Sequence, residues 1–173
     1  MQLNDTTRWI IQIAVTLMGI LLAATVSLST FVKQTAKTHK NQEINLAIDL
    51  AKEFDKSELF RNIRMSIEHQ QHLYKSWGGS FDNDQINLYL NFFEDVGFYH
   101  KYGVLSLEII DHYYGSYMIE AYENKEIQQY ITDLRVNYKQ ADAFAEFETV
   151  TKEIEALPSR GALTALMRRV NKE

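Results

Sequence analysis

Residues 82–103 read DNDQINLYLNFFEDVGFYHKYG. Asp82 or Asn83 is placed to cap a helix, and Gly103 to end it after about Tyr102. Between them Ile86, Leu88, Tyr89, Leu90, Phe92, Phe93, Val96 and Phe98 fall nearly all round the helix. A helix apolar on most sides must be covered on most sides, so this one is predicted to be central in a bundle. Glu94 is the charge that stands out on it. A buried carboxylate needs a partner, because an unpaired buried charge is very costly. Arg61, Arg64 and Arg135 each lie near the apolar stripe of their own segment and are the candidate partners. The structural reading of Glu94 is a buried pair fixing helix register. The chemical alternative is a general acid or base with a raised pKa.

The flanking segments continue the helical pattern. Ile44, Ala47, Ile48, Ala51 and Phe54 share one face. Ser57 reads as the N-cap of a helix whose stripe is Phe60, Ile63, Ile67, Tyr74 and Trp77, ending at Gly78-Gly79. Ser106 opens the next helix, with Ile110, Tyr113, Tyr114, Tyr117, Met118 and Ala121. Asn124 precedes a long pattern from Ile127 to Leu157, whose stripe shifts near residues 139–143 and predicts a break there. Pro158 ends it, and Ser159 caps a short last helix. One proline, seven glycines and no strand alternation in 173 residues support an all-α fold. The expectation is an irregular bundle of about five helices behind an N-terminal hydrophobic helix.

That N-terminal helix is Trp9–Val32, a run of 24 residues without a charge and with twelve Ile, Leu, Val or Phe. At about 1.5 Å per residue it spans roughly 36 Å, enough for a hydrocarbon core of about 30 Å. It is longer than a signal-peptide core and lacks a small-residue cleavage site. The reading is an uncleaved transmembrane helix, single-pass, in a bacterial inner membrane. Lys33, Lys37 and Lys40 follow it, which places the N-terminus outside and the domain in the cytoplasm. Membrane lipid is then a partner. Gly19, Ala23 and Ser27 recur every four residues and would let two such helices pack as a homodimer, although small residues are common in any membrane helix.

The domain organisation follows: residues 1–8 a short tail, 9–32 the transmembrane helix, 33–42 a basic juxtamembrane segment, 43–157 an acidic helical domain, and 158–173 a basic C-terminal helix or tail. Residues 43–157 hold 10 Lys or Arg against 21 Asp or Glu, a net −11. Such a surface repels phosphates and argues against nucleic acid. There is no cysteine, so disulfides and thiolate chemistry are excluded. His69 and His72, three apart, are the nearest approach to a metal pair, but the H-E-x-x-H order is lacking and a third ligand would have to come from folding. Asp111-His112 and His100 are weaker cases. No phosphate loop, nucleophile elbow or paired-carboxylate motif is present, and no cofactor is implied.

Tyr89–Gly97, Lys101–Leu105 and Tyr130–Arg135 together resemble a family of short bacterial and phage membrane proteins known only as a domain of unknown function. The resemblance spans roughly residues 10–150. It implies an anchored helical domain, supplies no activity, and singles out Glu94 and Arg135. The functional expectation is a membrane-tethered, non-enzymatic interaction or scaffold module with a protein partner. One alternative is a hydrolase or metal-dependent enzyme using Glu94 or His69 and His72. Another is an accessory subunit of an envelope or transport complex, in which Gln12 would face a partner.

Overall fold

A computed structural model of the chain describes residues 5–158 and 160, with side chains at Met18, Thr25 and from Ser27 onward. The described residues are all-helical, with six α-helices: α1 (Asp5–Lys56), α2 (Glu58–Glu68), α3 (Asn83–Lys101), α4 (Leu107–Glu123), α5 (Lys125–Asn137) and α6 (Ala145–Glu155). A 3-10 turn at Lys75–Trp77 lies between α2 and α3. The chain divides into two compact units, Met1–Gln42 and Glu43–Glu173.

In the first unit, the side chains of residues 27–42 are exposed. Among the described residues no helix is long and apolar enough to cross a membrane. This corrects the single-pass inner-membrane placement expected from Trp9–Val32, together with the orientation drawn from its lysine flank. The physical reason lies in the described side chains. After Leu28, Phe31 and Val32 the described side chains of α1 turn to Lys33, Gln34, Lys37 and Lys40, charged and polar groups that a hydrocarbon core disfavours. α1 also does not end at Val32 but carries through these polar residues to Lys56. Of the small-residue row, Gly19 and Ala23 lie outside the described side chains, and Ser27 is exposed.

The second unit is built around Phe54 near the end of α1. Its ring lies 4.8 Å from Phe92, 5.4 Å from Phe93, 5.5 Å from Phe60 and 5.5 Å from Tyr117, centroid to centroid. Ala47, Ile63, Ile86, Leu90, Val96, Ile110, Met118, Ile127 and Ile154 complete a fully buried core. The caps follow local chemistry. Ser57 Oγ accepts from Phe60 N–H, and Asp82 with Gln85 forms a reciprocal capping box. Asn124 accepts from Glu126 and Ile127 N–H at the start of α5. Gly103, at φ +68°, supplies the left-handed residue after α3.

Two boundaries differ from the sequence expectation. The helix opened by Ser57 stops at Glu68, and Gln70 adopts φ 54°, so it does not reach Gly78-Gly79. Tyr74 is buried all the same, in an irregular segment where it pairs as an isolated bridge with Phe81. The long C-terminal pattern does break: α5 ends at Asn137, and Lys139 and Phe144 take φ 56° and 57° before α6. Residues 161–173, most of the expected basic tail, lie outside the described residues. Arg160 at its start reaches α4, with Nε 2.5 Å from Asp111 Oδ1.

Two helix glycines mark close approaches of different kinds. A Cβ on Gly97 of α3 would lie 2.7 Å from the Glu146 backbone of α6. A Cβ on Gly115 of α4 would come nearest to the ends of the Asp111 and Arg160 side chains. Gly97→Ala should therefore destabilise the unit by about 1–3 kcal/mol despite the better helix propensity of alanine. Gly115→Ala should stay within about 1 kcal/mol, since flexible side chains can yield. Urea unfolding of both variants checks the contrast; equal effects would contradict the backbone contact at Gly97.

Candidate functional site

Glu94 and Arg135, two of the residues singled out by sequence, both reach the start of α6. This helix begins after Phe144, whose left-handed backbone provides no side-chain cap. Its first amides are therefore in need of acceptors. Glu94 of α3 supplies them: Oε2 accepts from Phe147 N–H at 2.8 Å and Oε1 from Glu146 N–H at 3.3 Å. A carboxylate at a helix N-terminus is further favoured by the helix dipole. Burial pushes the Glu94 carboxyl above its ordinary range, the two amide bonds pull it back, and neighbouring Glu146 and Asp95 add to the rise.

Arg135 does not pair with Glu94. It donates from Nε and Nη2 to the Ala143 carbonyl, at 3.1 and 2.8 Å, and from Nη1 to Glu148 Oε2 at 2.9 Å. The expected direct ion pair is replaced by two clasps on one segment. Glu94 takes the amides that open α6, while Arg135 takes the carbonyl before it and a carboxylate one turn in. Lys152 bonds the other Glu148 oxygen at 2.8 Å, and together these cations hold Glu148 below the usual carboxylate range. Lys101 closes the side of the junction against Glu146.

The other candidates are placed elsewhere. Arg64 is stacked between Phe54 and Tyr117, its guanidinium carbon 4.8 and 4.5 Å from the ring centroids, and its Nη1 lies 3.6 Å from Asp55. Arg61 donates to the Asp55 carbonyl at 3.2 Å. His69 is the C-cap of α2 and is exposed. His72 lies beyond the end of that helix, so the two histidines do not share a helix face as the spacing suggested. Nδ1 of His72 instead sits 2.6 Å from Glu126 Oε1. Among the described residues no group of three or more His, Asp or Glu could hold a metal ion.

Glu126 and Glu43 were not singled out by sequence, and they act as Glu94 does. Glu126 Oε2 accepts from Leu73 and Tyr74 N–H at 2.8 and 3.2 Å, tying down the irregular segment after α2. Burial alone would raise its carboxyl, but the His72 bond and the two amides outweigh it and hold the group below its ordinary value. Glu43 Oε1 accepts from Ser106 N–H at 2.6 Å at the start of α4. Only the tertiary fold brings these carboxylates to backbone 53 and 63 residues away. Glu126 also borders an open groove of about 630 Å³ between α2 and α4, lined by Glu68, His72, Glu120 and Glu123. Burial, with Glu68 and Glu123 nearby, pushes the Glu120 carboxyl upward.

Residues 13–154 match the family described as Domain of unknown function (DUF4760), and the chain belongs to that family. No curated protein matches the chain, and no solved structure does.

Glu94→Ala should cost about 2–3 kcal/mol, because two amides lose a charged acceptor. Glu94→Gln should cost less, since one oxygen remains to accept. Urea midpoints at neutral pH check the order; a neutral Glu94→Ala variant would contradict the clasp. Glu126, held low in the folded state, binds its proton less readily there than in the unfolded chain. Its contribution is thus complete above the unfolded value and lost as pH falls through the folded one. The stability difference between wild type and Glu126→Gln should shrink as pH falls below about 4.5, read from urea midpoints across pH.

Proposed function

We propose that this chain is a helical interaction module that binds another protein through the C-terminal end of α3. The observation that carries the reading is an exposed aromatic pair. Phe98 and Tyr102 are 50% and 64% exposed with ring centroids 4.5 Å apart, and Val104 beside them is 44% exposed. Single exposed apolar residues are ordinary. Here, however, every other described phenylalanine of the second unit is buried. Aromatic residues held rigidly at a surface are what protein interfaces use as anchors.

The enzymatic alternative through Glu94 has less support. Both its oxygens already accept backbone amides, and a general acid or base must have an oxygen within reach of the substrate proton. Its upward shift follows from burial in the α3–α6 junction, which is a structural cause.

A photo-crosslinking side chain placed at position 98 should give a discrete adduct in cells of the native host. The same group at exposed Glu108 should not. The adduct mass separates a second copy of the chain from a different protein. No adduct from position 98, or equal adducts from both, would overturn the reading. Phe98→Ser should leave stability within about 0.5 kcal/mol, as for other surface substitutions.

A further inference from the structure

Phe98 and Tyr102 belong to a longer exposed row on α3. Asp84, Leu88, Asn91, Asp95, Phe98 and Tyr102 are all exposed, and they recur at steps of four, three, four, three and four residues. At about 100° per residue this keeps them in one strip about 80° wide. That is the spacing of a coiled-coil seam, the narrow row along which one helix packs on a second. Tyr102, the C-cap, keeps a near-helical backbone at φ −93° and ψ 10°, and its ring stacks near that of Phe98, so the row runs through it. From Asp84 to Tyr102 the strip is about 27 Å long. The bundle itself makes little use of it. Leu88 is 56% exposed, and neither the Asn91 amide nor the Asp95 carboxylate has a hydrogen-bond or ion-pair partner among the described residues.

We infer that this strip is a self-complementary seam, through which two copies of the chain pair with their α3 helices antiparallel about a two-fold axis. The inference names the partner of the surface proposed above and rests on that reading. An axis crossing α3 at the level of Phe93 exchanges position 84 with 102, 88 with 98, and 91 with 95. Leu88 then faces the partner's Phe98, Asn91 faces the partner's Asp95, and Asp84 faces the partner's Tyr102. Each layer occurs twice, as an isologous interface requires. Apolar meets apolar in the first. In the second the amide NH2 donates to a carboxylate, and in the third the phenol O–H does.

The same residues disfavour other arrangements. Parallel pairing sets Asp84 on Asp84 and Asp95 on Asp95, and like charges repel. Sliding the antiparallel pair by one heptad sets Asp95 against the partner's Asp84 in one direction and against its Phe98 in the other. The first opposes two carboxylates, and the second buries one without an acceptor's partner. A polar layer inside a helical seam commonly fixes register in this way, at some cost in stability. One helix face per copy also makes a small interface, so the pair is a reversible one.

The chain contains no cysteine, so introduced thiols report pairing without background. Full-length Leu88→Cys and Phe98→Cys chains, told apart by a mass tag, are mixed and oxidised under native conditions. The mixed disulfide should exceed either homodisulfide about tenfold, because two copies of position 88 lie about 15 Å apart along the antiparallel pair and a disulfide spans Cα atoms no more than about 7 Å apart. The mixed pair also keeps one native layer of Leu88 on Phe98. Asn91→Asp added to both chains should cut the mixed disulfide about tenfold, since carboxylates then face each other. Adding Asp95→Asn as well should restore it, because the exchanged layer is again amide on carboxylate. Both positions are exposed, so the fold is spared. Absence of the mixed disulfide, homodisulfides in the statistical share, or no rescue by the exchange would overturn the self-pairing. A position-98 photo-adduct with the mass of a different protein, without the mixed disulfide, keeps the surface and removes the second copy. Absence of both adduct and disulfide removes surface and pairing together.

Discussion

The second unit depends on how the first amides of α6 find acceptors. Phe144 enters that helix from a left-handed backbone and has no capping side chain. Without Glu94, the N–H groups of Glu146 and Phe147 would be left facing a packed helix. Gly97 lets α3 approach closely enough for this carboxylate to reach them, because a larger residue would strike the Glu146 backbone. Glycine and glutamate one turn apart thus act together, one by its absence of side chain and the other by its charge. Arg135 completes the arrangement from α5 by holding the carbonyl of Ala143. The segment from 138 to 144, with its two left-handed residues, is fixed from both ends.

The same device recurs. Glu126 holds the amides of Leu73 and Tyr74, and Glu43 holds that of Ser106. Each joins a helix to backbone amides distant in sequence. This gives part of the acidic surplus of residues 43–157 a structural use. Carboxylates are suited to it because their two oxygens can each take an N–H, and charge makes those bonds stronger than neutral ones. It also explains why the carboxylate most suggestive of chemistry, Glu94, is better understood as a clasp. The exposed Phe98 and Tyr102 then stand out as a surface that the packing leaves uncovered, at the C-terminal end of α3.

Much of the architecture was legible beforehand. Ser57, Asp82, Ser106 and Asn124 each mark a helix start, and the shift of stripe near residue 140 marks the break before α6. Ser57, Asp82 and Asn124 act on amides two or three positions away, so their meaning survives in the linear chain. The helix expected to run from Ser57 to Gly78 illustrates the limit. Tyr74 and Trp77 continue the helical spacing, but Glu126 captures the amides of Leu73 and Tyr74, and the segment leaves the helix. Trp9–Val32 is a second limit: apolar composition led to a membrane span, which the described part of α1 does not provide.

By itself the sequence determined that the chain is helical, where most helices begin, that Glu94 needs a partner, and that thiol chemistry is absent. Those features rest on spacing, local capping and composition, all of which act over a few residues. The tertiary structure alone decided which groups meet. It gave Glu94 the backbone of α6 instead of Arg135, gave Arg135 to Ala143 and Glu148, separated His69 from His72, and set His100 between two acceptors. Glu94 and Phe147, like His100 and Glu153, lie 53 residues apart along the chain. Their pairing follows from how the helices pack around Phe54, which no local pattern encodes.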